Sequence, residues 1–263
     1  MNRSIPWCIP FYRLLGSLII VLSLMAQPAI RVLAEDGYNE AGGYWVSDYA
    51  FISDLPSSQT NVEQFVNYLL YNGGSYYTFS VGDDDVTQDA FESNNSVDTT
   101  DLAFFNGHGG DGYLILRWEM FGNDRVVYDE VHWGDVDLDW IMLHSCDTLA
   151  SDNTGLKSTS KFAQGLNGMR LICGATTIMW NFTDDGLHVA WRLIDSDAGG
   201  PDEALPVSVS WFLGIDDGNP SGVTLRILGE DSGCASDYIW GQGGPYGSST
   251  VDNYFWYYDY TTT

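Results

Sequence analysis

"DLAFFNGHGG", residues 101–110, and "DLDWIMLHSCDTL", residues 137–149, decide the fold. Each contains four apolar residues in a row, 102–105 and 140–143, the composition of a strand buried on both faces in the middle of a parallel sheet. Three residues past the end of each run stands a chemically active side chain, His108 after Phe105 and Cys146 after Leu143. Side chains that act in such sheets gather beyond the carboxyl ends of the strands. If the two strands are parallel neighbours, they deliver an imidazole and a thiol to the same edge. The glycines around His108 leave room there for a substrate backbone and expose main-chain N–H groups.

The elements on either side fit that frame. Residues 41–55 are aromatic and extended. Asn61 opens an amphipathic helix with Val62, Phe65, Val66, Leu69 and Leu70 on one face, stopped by Asn72-Gly73-Gly74. Residues 76–81 read as a strand, 113–120 and 125–131 as a hairpin turning at 122–124, and 170–175 and 223–228 as later strands. Helices are expected at 159–166, 185–194 and 204–213. The aromatic tail 254–260 is expected as an edge strand on the core. Strands alternating with helices predict an α/β three-layer sandwich, with a mostly parallel central sheet and helices on both faces. No internal repeat or linker interrupts it, so residues 35–263 are expected to form a single domain.

The N-terminus has the layout of a secretory signal peptide. Arg3 and Arg13 precede the apolar run 14–26, no acid comes before Glu35, and Val32-Leu33-Ala34 fits a small-x-small cleavage site. The run is shorter than the ~20 residues that span a bilayer, so residues 1–34 are expected to be removed and the mature chain to be secreted, with no membrane partner. Removal of Arg3, Arg13 and Arg31 leaves 7 basic against 36 acidic residues, a charge near −29. Such a surface repels nucleic acid and would enrich basic peptides. Of the acids 28 are Asp, consistent with a solvated, salt-tolerant surface. Loops such as Gly82-Asp83-Asp84-Asp85 would suit a structural calcium ion, although the spacing of an EF-hand is absent. No other cofactor is implied, and oligomeric state is not legible.

With Cys8 gone, three cysteines remain, Cys146, Cys173 and Cys234. An odd number leaves at least one thiol over. A disulfide between Cys173 and Cys234 would free Cys146, but sequence does not fix connectivity. Asn94 and Asn181 begin Asn-x-Ser/Thr sequons.

An apolar strand ending in His108-Gly109, followed by one ending in Ser145-Cys146, resembles the caspase-like cysteine peptidases, the group of caspases, legumains, gingipains and clostripain. "FAQGLNGMRLICGATTIMW" (162–180) and "DDGLHVAWRLID" (184–195) look like an uncharacterised family of exported caspase-like proteins of archaea and bacteria. The resemblance covers roughly residues 100–215, and it departs from caspases around the cysteine, where no Asp specificity is carried over. It implies an endopeptidase acting on peptide or protein. Cys146 would attack the carbonyl and form a thioester, His108 would protonate the leaving amine, and the N–H groups of Gly109 and Cys146 would form the oxyanion hole. The chemistry is coherent, because a thiolate is the nucleophile and an imidazole both activates it and serves as the acid.

His144, two residues from Cys146, is a secondary candidate partner, read first as a structural histidine, as are His132 and His188. Ser145 lacks a Gly-x-Ser-x-Gly elbow. Two other functions compete. One is a catalytically silent caspase-like module that binds peptide or polymer. The other is a metal-dependent hydrolase using His132, His144, Cys146 and Asp147, for which no metal-ligand spacing speaks.

Overall fold

The computed structural model describes residues 39–73, 75–92, 96–118, 124–134, 136–150, 161–162, 166, 168–194, 204–229, 232–239 and 256–263. Residues 1–34, expected as a signal peptide, the hairpin turn at 122–123, Asn94, most of the expected helix 159–166 and most of the loop 229–247 lie outside them.

In chain order the elements are β1 Glu40–Trp45, α1 Ser58–Tyr68, β2 Tyr76–Gly82, α2 Gln88–Glu92, β3 Leu102–Asn106, β4 Gly109–Gly110, β5 Tyr113–Ile115, β6 Arg125–Val127, β7 Trp140–His144, β8 Leu171–Ala175, α3 Asp185–Ile194, α4 Val207–Asp216, β9 Thr224–Gly229 and β10 Trp256–Thr261. Seven strands form one sheet in the order β10-β9-β8-β7-β3-β1-β2, and β4, β5 and β6 form a second, smaller one. The pairs from β2 through β8 are parallel; β9 runs antiparallel to β8 and β10 antiparallel to β9. The α/β sandwich with a mostly parallel sheet expected from the alternation is therefore present, and the aromatic tail is its edge strand.

All five residues of β3, β7 and β8 are buried, as their continuous apolar composition demands. Side chains alternate across the sheet. Leu102, Phe104, Trp140 and Met142 meet α1, α3 and α4 through Val62, Phe65, Val189 and Trp211. Ala103, Phe105, Ile141 and Leu143 face the other way, toward Phe91 of α2, Leu114 and Val126 of the small sheet, and Trp133. Each such large side chain removed from water contributes roughly 2 kcal/mol. Helix α3 crosses α1 closely, since a Cβ at Gly186 would come within 2.1 Å of the Asn61 carbonyl oxygen.

The larger boundary shifts begin with α1, which opens at Ser58 and not at Asn61. Of the extended stretch 41–55 only residues 41–45 lie in a strand, because polar Ser47, Asp48, Ser53 and Asp54 turn the remainder into a loop closed by Leu55 N–H donating to Ser47 O at 2.9 Å. Helix α4 starts at Val207 rather than 204, because Pro206 disfavours helical backbone at the residue before it. The hairpin strands are three residues each. No helix among the described residues is long and apolar enough to cross a membrane.

Candidate active site

The register of β3 against β7 is the central observation. Leu102 pairs with Trp140, Phe105 with Leu143 and Asn106 with His144, a constant offset of 38 residues. His108 and Cys146 are separated by the same 38 positions, so each stands two residues beyond the last pair at the carboxyl edge of the sheet. The sequence expectation that these strands are parallel neighbours is met. The Gly107 N–H donates to His144 O at 3.3 Å, so the two chains stay together past the last pair.

The loop after β1 holds His108. Its Nε2 lies 2.8 Å from the carbonyl oxygen of Ser53. A carbonyl only accepts, so Nε2 carries the proton, and in the neutral ring Nδ1 is left as the acceptor. The His108 main-chain N–H donates to the Tyr49 hydroxyl at 2.6 Å, and the two rings pack with centroids 4.7 Å apart. Tyr49 is buried, and its own N–H donates to Asp54 Oδ1 at 3.0 Å. Asp83, a residue with φ of 50°, accepts from the N–H groups of Ser47 and Asp48 at 2.8 and 2.9 Å and anchors the loop's start.

Cys146 is half-buried at the head of a turn. The thiol donates to Met179 O at 3.5 Å, and the Met179 N–H points at Sγ from 3.4 Å. Burial pushes this thiol above the ordinary cysteine range and the carboxylate of Asp147 adds to the rise, while the N–H groups of Met179 and Cys146 itself oppose it. The resting group is a thiol, and it needs a base at the moment of attack. Asp147 takes a φ of 52° and is fixed by donating its N–H to Thr177 O at 3.0 Å.

Gly109 fits between these parts for a steric reason. A Cβ there would stand 2.9 Å from both Cβ and Oγ of Ser145 and 3.0 Å from Thr148 Oγ1, so any other residue would push the His108 segment off the Cys146 turn. The Ile115 N–H donates to His108 O at 2.9 Å, which makes that couple the hydrogen-bonded one of the β4–β5 ladder. The next couple, Gly109 with Leu114, is then of the non-bonded kind, and the Gly109 N–H points away from the hairpin.

His144 has a different place. It is 2% exposed, and its Nε2 lies 2.8 Å from Oδ2 of fully buried Asp185, which also accepts from Asn219 Nδ2 at 3.3 Å. Phe104 and Trp211 pack on its ring. His188 lies 3.9 Å from Asp184, and His132 is exposed. Ser145 Oγ is spent on Thr148 Oγ1 inside the turn.

The metal-hydrolase set of His132, His144, Cys146 and Asp147 is not gathered among the described residues. The carboxylates close enough to share a cation there are Glu40, Asp101 and Asp137, at the opposite, amino edge. Burial raises Asp101 to about 8. In the acidic loop, Asp83 caps main-chain N–H groups, and Asp84 binds Arg117 at 3.0 Å and the Trp118 indole at 2.7 Å. Those contacts already use two of the three carboxylates of the stretch that suited calcium. No disulfide joins Cys173, buried in β8, to Cys234. The Asn181 amide donates to Ser58 Oγ and accepts from Asn61 Nδ2, each at 3.0 Å, bonds that a glycan on that nitrogen would break.

Sequence reading missed Tyr49, Ser53 and Met179. Ser53 and Met179 act through main-chain atoms, which leave no residue signature. The cue for Tyr49 was the polar cluster around it, which marks a loop and not a strand.

The family model described as "Domain of unknown function (DUF6345)" matches residues 44–260, and the chain belongs to that family. No curated protein matches it. Among solved structures it is similar to caspase-1 from Spodoptera frugiperda, at 12% identity and a TM-score of 0.44, over 67% of this chain and 76% of that one. It is also similar to a secreted C11 cysteine protease from Bacteroides thetaiotaomicron, solved with an irreversible peptide inhibitor, at 11% identity and a TM-score of 0.42, over 73% of this chain and 66% of that one.

Proposed function

We propose that the chain is an exported cysteine endopeptidase in which Cys146 and His108 act as a dyad on a peptide carbonyl. The observation that carries this reading is the β3–β7 register, which gives the two residues equivalent positions at one sheet edge. The Ser53 carbonyl supports it by keeping the proton on Nε2, so that the lone pair of Nδ1 is available to the thiol. In the reaction, His108 takes the Cys146 proton as sulfur attacks the carbonyl carbon. The oxygen that becomes negative is met by the N–H groups of Gly109 and Cys146, donors of a kind worth about 3 kcal/mol each. The imidazolium returns its proton to the amine as the C–N bond breaks, leaving a thioester that water hydrolyses.

The raised thiol shapes the mechanism. Cys146 rests as a thiol, and proton transfer accompanies attack instead of preceding it. The leader reading extends the proposal to a secreted chain that begins near Glu35. A panel of quenched-fluorescent peptides assayed with the mature chain tests it. Cys146→Ala is expected to abolish cleavage with the thermal midpoint unchanged. Equal turnover by wild type and Cys146→Ala would falsify the dyad and leave the silent binding module in its place.

A further inference from the structure

Residues 176–184 join β8 to α3, and their middle alternates. Ile178, Trp180 and Phe182 are 64%, 57% and 41% exposed, whereas Met179 between the first two is 7% exposed. Hydrogen bonds fix this alternation. Met179 is tied by both main-chain groups to Cys146 Sγ, the Trp180 N–H donates to Asn219 Oδ1 at 3.1 Å, and Asn181 is held by Ser58 and Asn61. With Met179 buried and the Asn181 amide held by Ser58 and Asn61, the side chains of 178, 180 and 182 stand outward. A chain with a net charge of −26 nevertheless places three large apolar side chains there.

The loop on the His108 side does the same. Phe51 and Ile52, 55% and 42% exposed, directly precede Ser53, whose carbonyl holds the imidazole. Exposed apolar surface concentrated in this way marks a contact site. Asp147 follows Cys146 on the same rim, and burial followed by the charge of Asp111 raises it, while Asp111 itself is paired with Lys161 at 2.6 Å.

We propose that these two loops form the binding rim for an extended peptide with large apolar side chains on either side of the bond to be cut, and no acidic residue among them. The inference rests on the dyad reading for the position of that bond. Apolar peptide side chains would cover Ile178 and Trp180 on one side and Phe51 and Ile52 on the other. An acidic side chain would meet Asp147 beside Cys146 and forfeit its hydration.

The test uses the mature chain and tripeptide chloromethyl ketones carrying Phe and Leu, Asp, or Lys, with iodoacetamide as the small control. The apolar reagent is expected to alkylate Cys146 at least about tenfold faster than the Asp reagent after normalisation to iodoacetamide. Ile178→Ser with Trp180→Ser should remove roughly that advantage and leave iodoacetamide labelling and the thermal midpoint unchanged. Equal normalised rates, or an advantage that survives the double substitution, would overturn the rim. Iodoacetamide labelling that ignores His108→Ala would instead overturn the dyad. In that event titration of Cys146→Ala with the acetylated apolar tripeptide, followed by calorimetry, still decides: saturable binding lost in the double variant supports the rim, and no binding overturns it.

Discussion

His108 and His144 sit within two residues of each other along paired strands, yet they occupy opposite environments. His144 is the last residue of β7, sealed between Phe104 and Trp211, with its Nε2 on the buried carboxylate of Asp185. His108 lies beyond β3, half-buried, with its Nε2 on a main-chain carbonyl and one face on Tyr49. A buried carboxylate binds an imidazole as part of the core, while a carbonyl fixes a tautomer and leaves the opposite nitrogen available for chemistry. The partner atom, more than the residue type, assigns one histidine to stability and the other to the proposed reaction.

The sharpest way to break that division is to delete each ring in turn. His144→Ala leaves Asp185 with Asn219 as its remaining side-chain donor, and leaving a buried polar group without its partner costs about 1–3 kcal/mol. Chemical denaturation should show that loss, with residual peptide cleavage well below the new midpoint. His108→Ala should cost under ~1 kcal/mol of stability, because the ring is only half-buried, and it should lower cleavage by 100-fold or more. The reverse pattern would make His144 the working partner.

A second, smaller effect lies in pH. Burial raises the Cys146 thiol, so its thiolate population at neutral pH is below that of an ordinary cysteine and grows only as pH rises past the usual thiol range. The rate of iodoacetamide labelling should therefore keep climbing beyond pH 9 and show no plateau between pH 5 and 7. A neutral plateau would mean a preformed thiolate–imidazolium pair, and the concerted transfer proposed above would be wrong. Substituting His108 should slow labelling most at neutral pH, where thiolate alone is scarce.

How far these features could be read in advance follows from where the information is stored. The strands β3, β7 and β8 were legible because full burial forces a continuous apolar run, and the site edge was legible because both runs end at the same offset from a reactive side chain. The hairpin and the start of α4 were less so, since their limits depend on turn hydrogen bonds and on a single proline. The holders of the site were almost invisible. Ser53 contributes a carbonyl and Met179 an amide, atoms that every residue possesses, and only the folded path of the loops aims them. The Asp185 partner of His144 lies 41 residues away on another element, which no local pattern reveals.

The smallest predicted effect concerns Tyr49, which touches His108 in two separable ways. Its hydroxyl accepts the His108 N–H at 2.6 Å, and its ring packs against the imidazole at 4.7 Å. Tyr49→Phe keeps the ring and leaves that N–H without its acceptor, a loss of about 1 kcal/mol in stability. The imidazole still has the Ser53 carbonyl to fix its tautomer, so cleavage should fall only a fewfold. Tyr49→Ala also removes the packing surface and lets the ring turn away from Nε2-to-Ser53 geometry, so the rate should fall much further than in Tyr49→Phe. If Tyr49→Phe alone costs as much rate as Tyr49→Ala, the hydroxyl holds His108 in place and the carbonyl does not. The contrast with His144 would then rest on a side-chain partner after all.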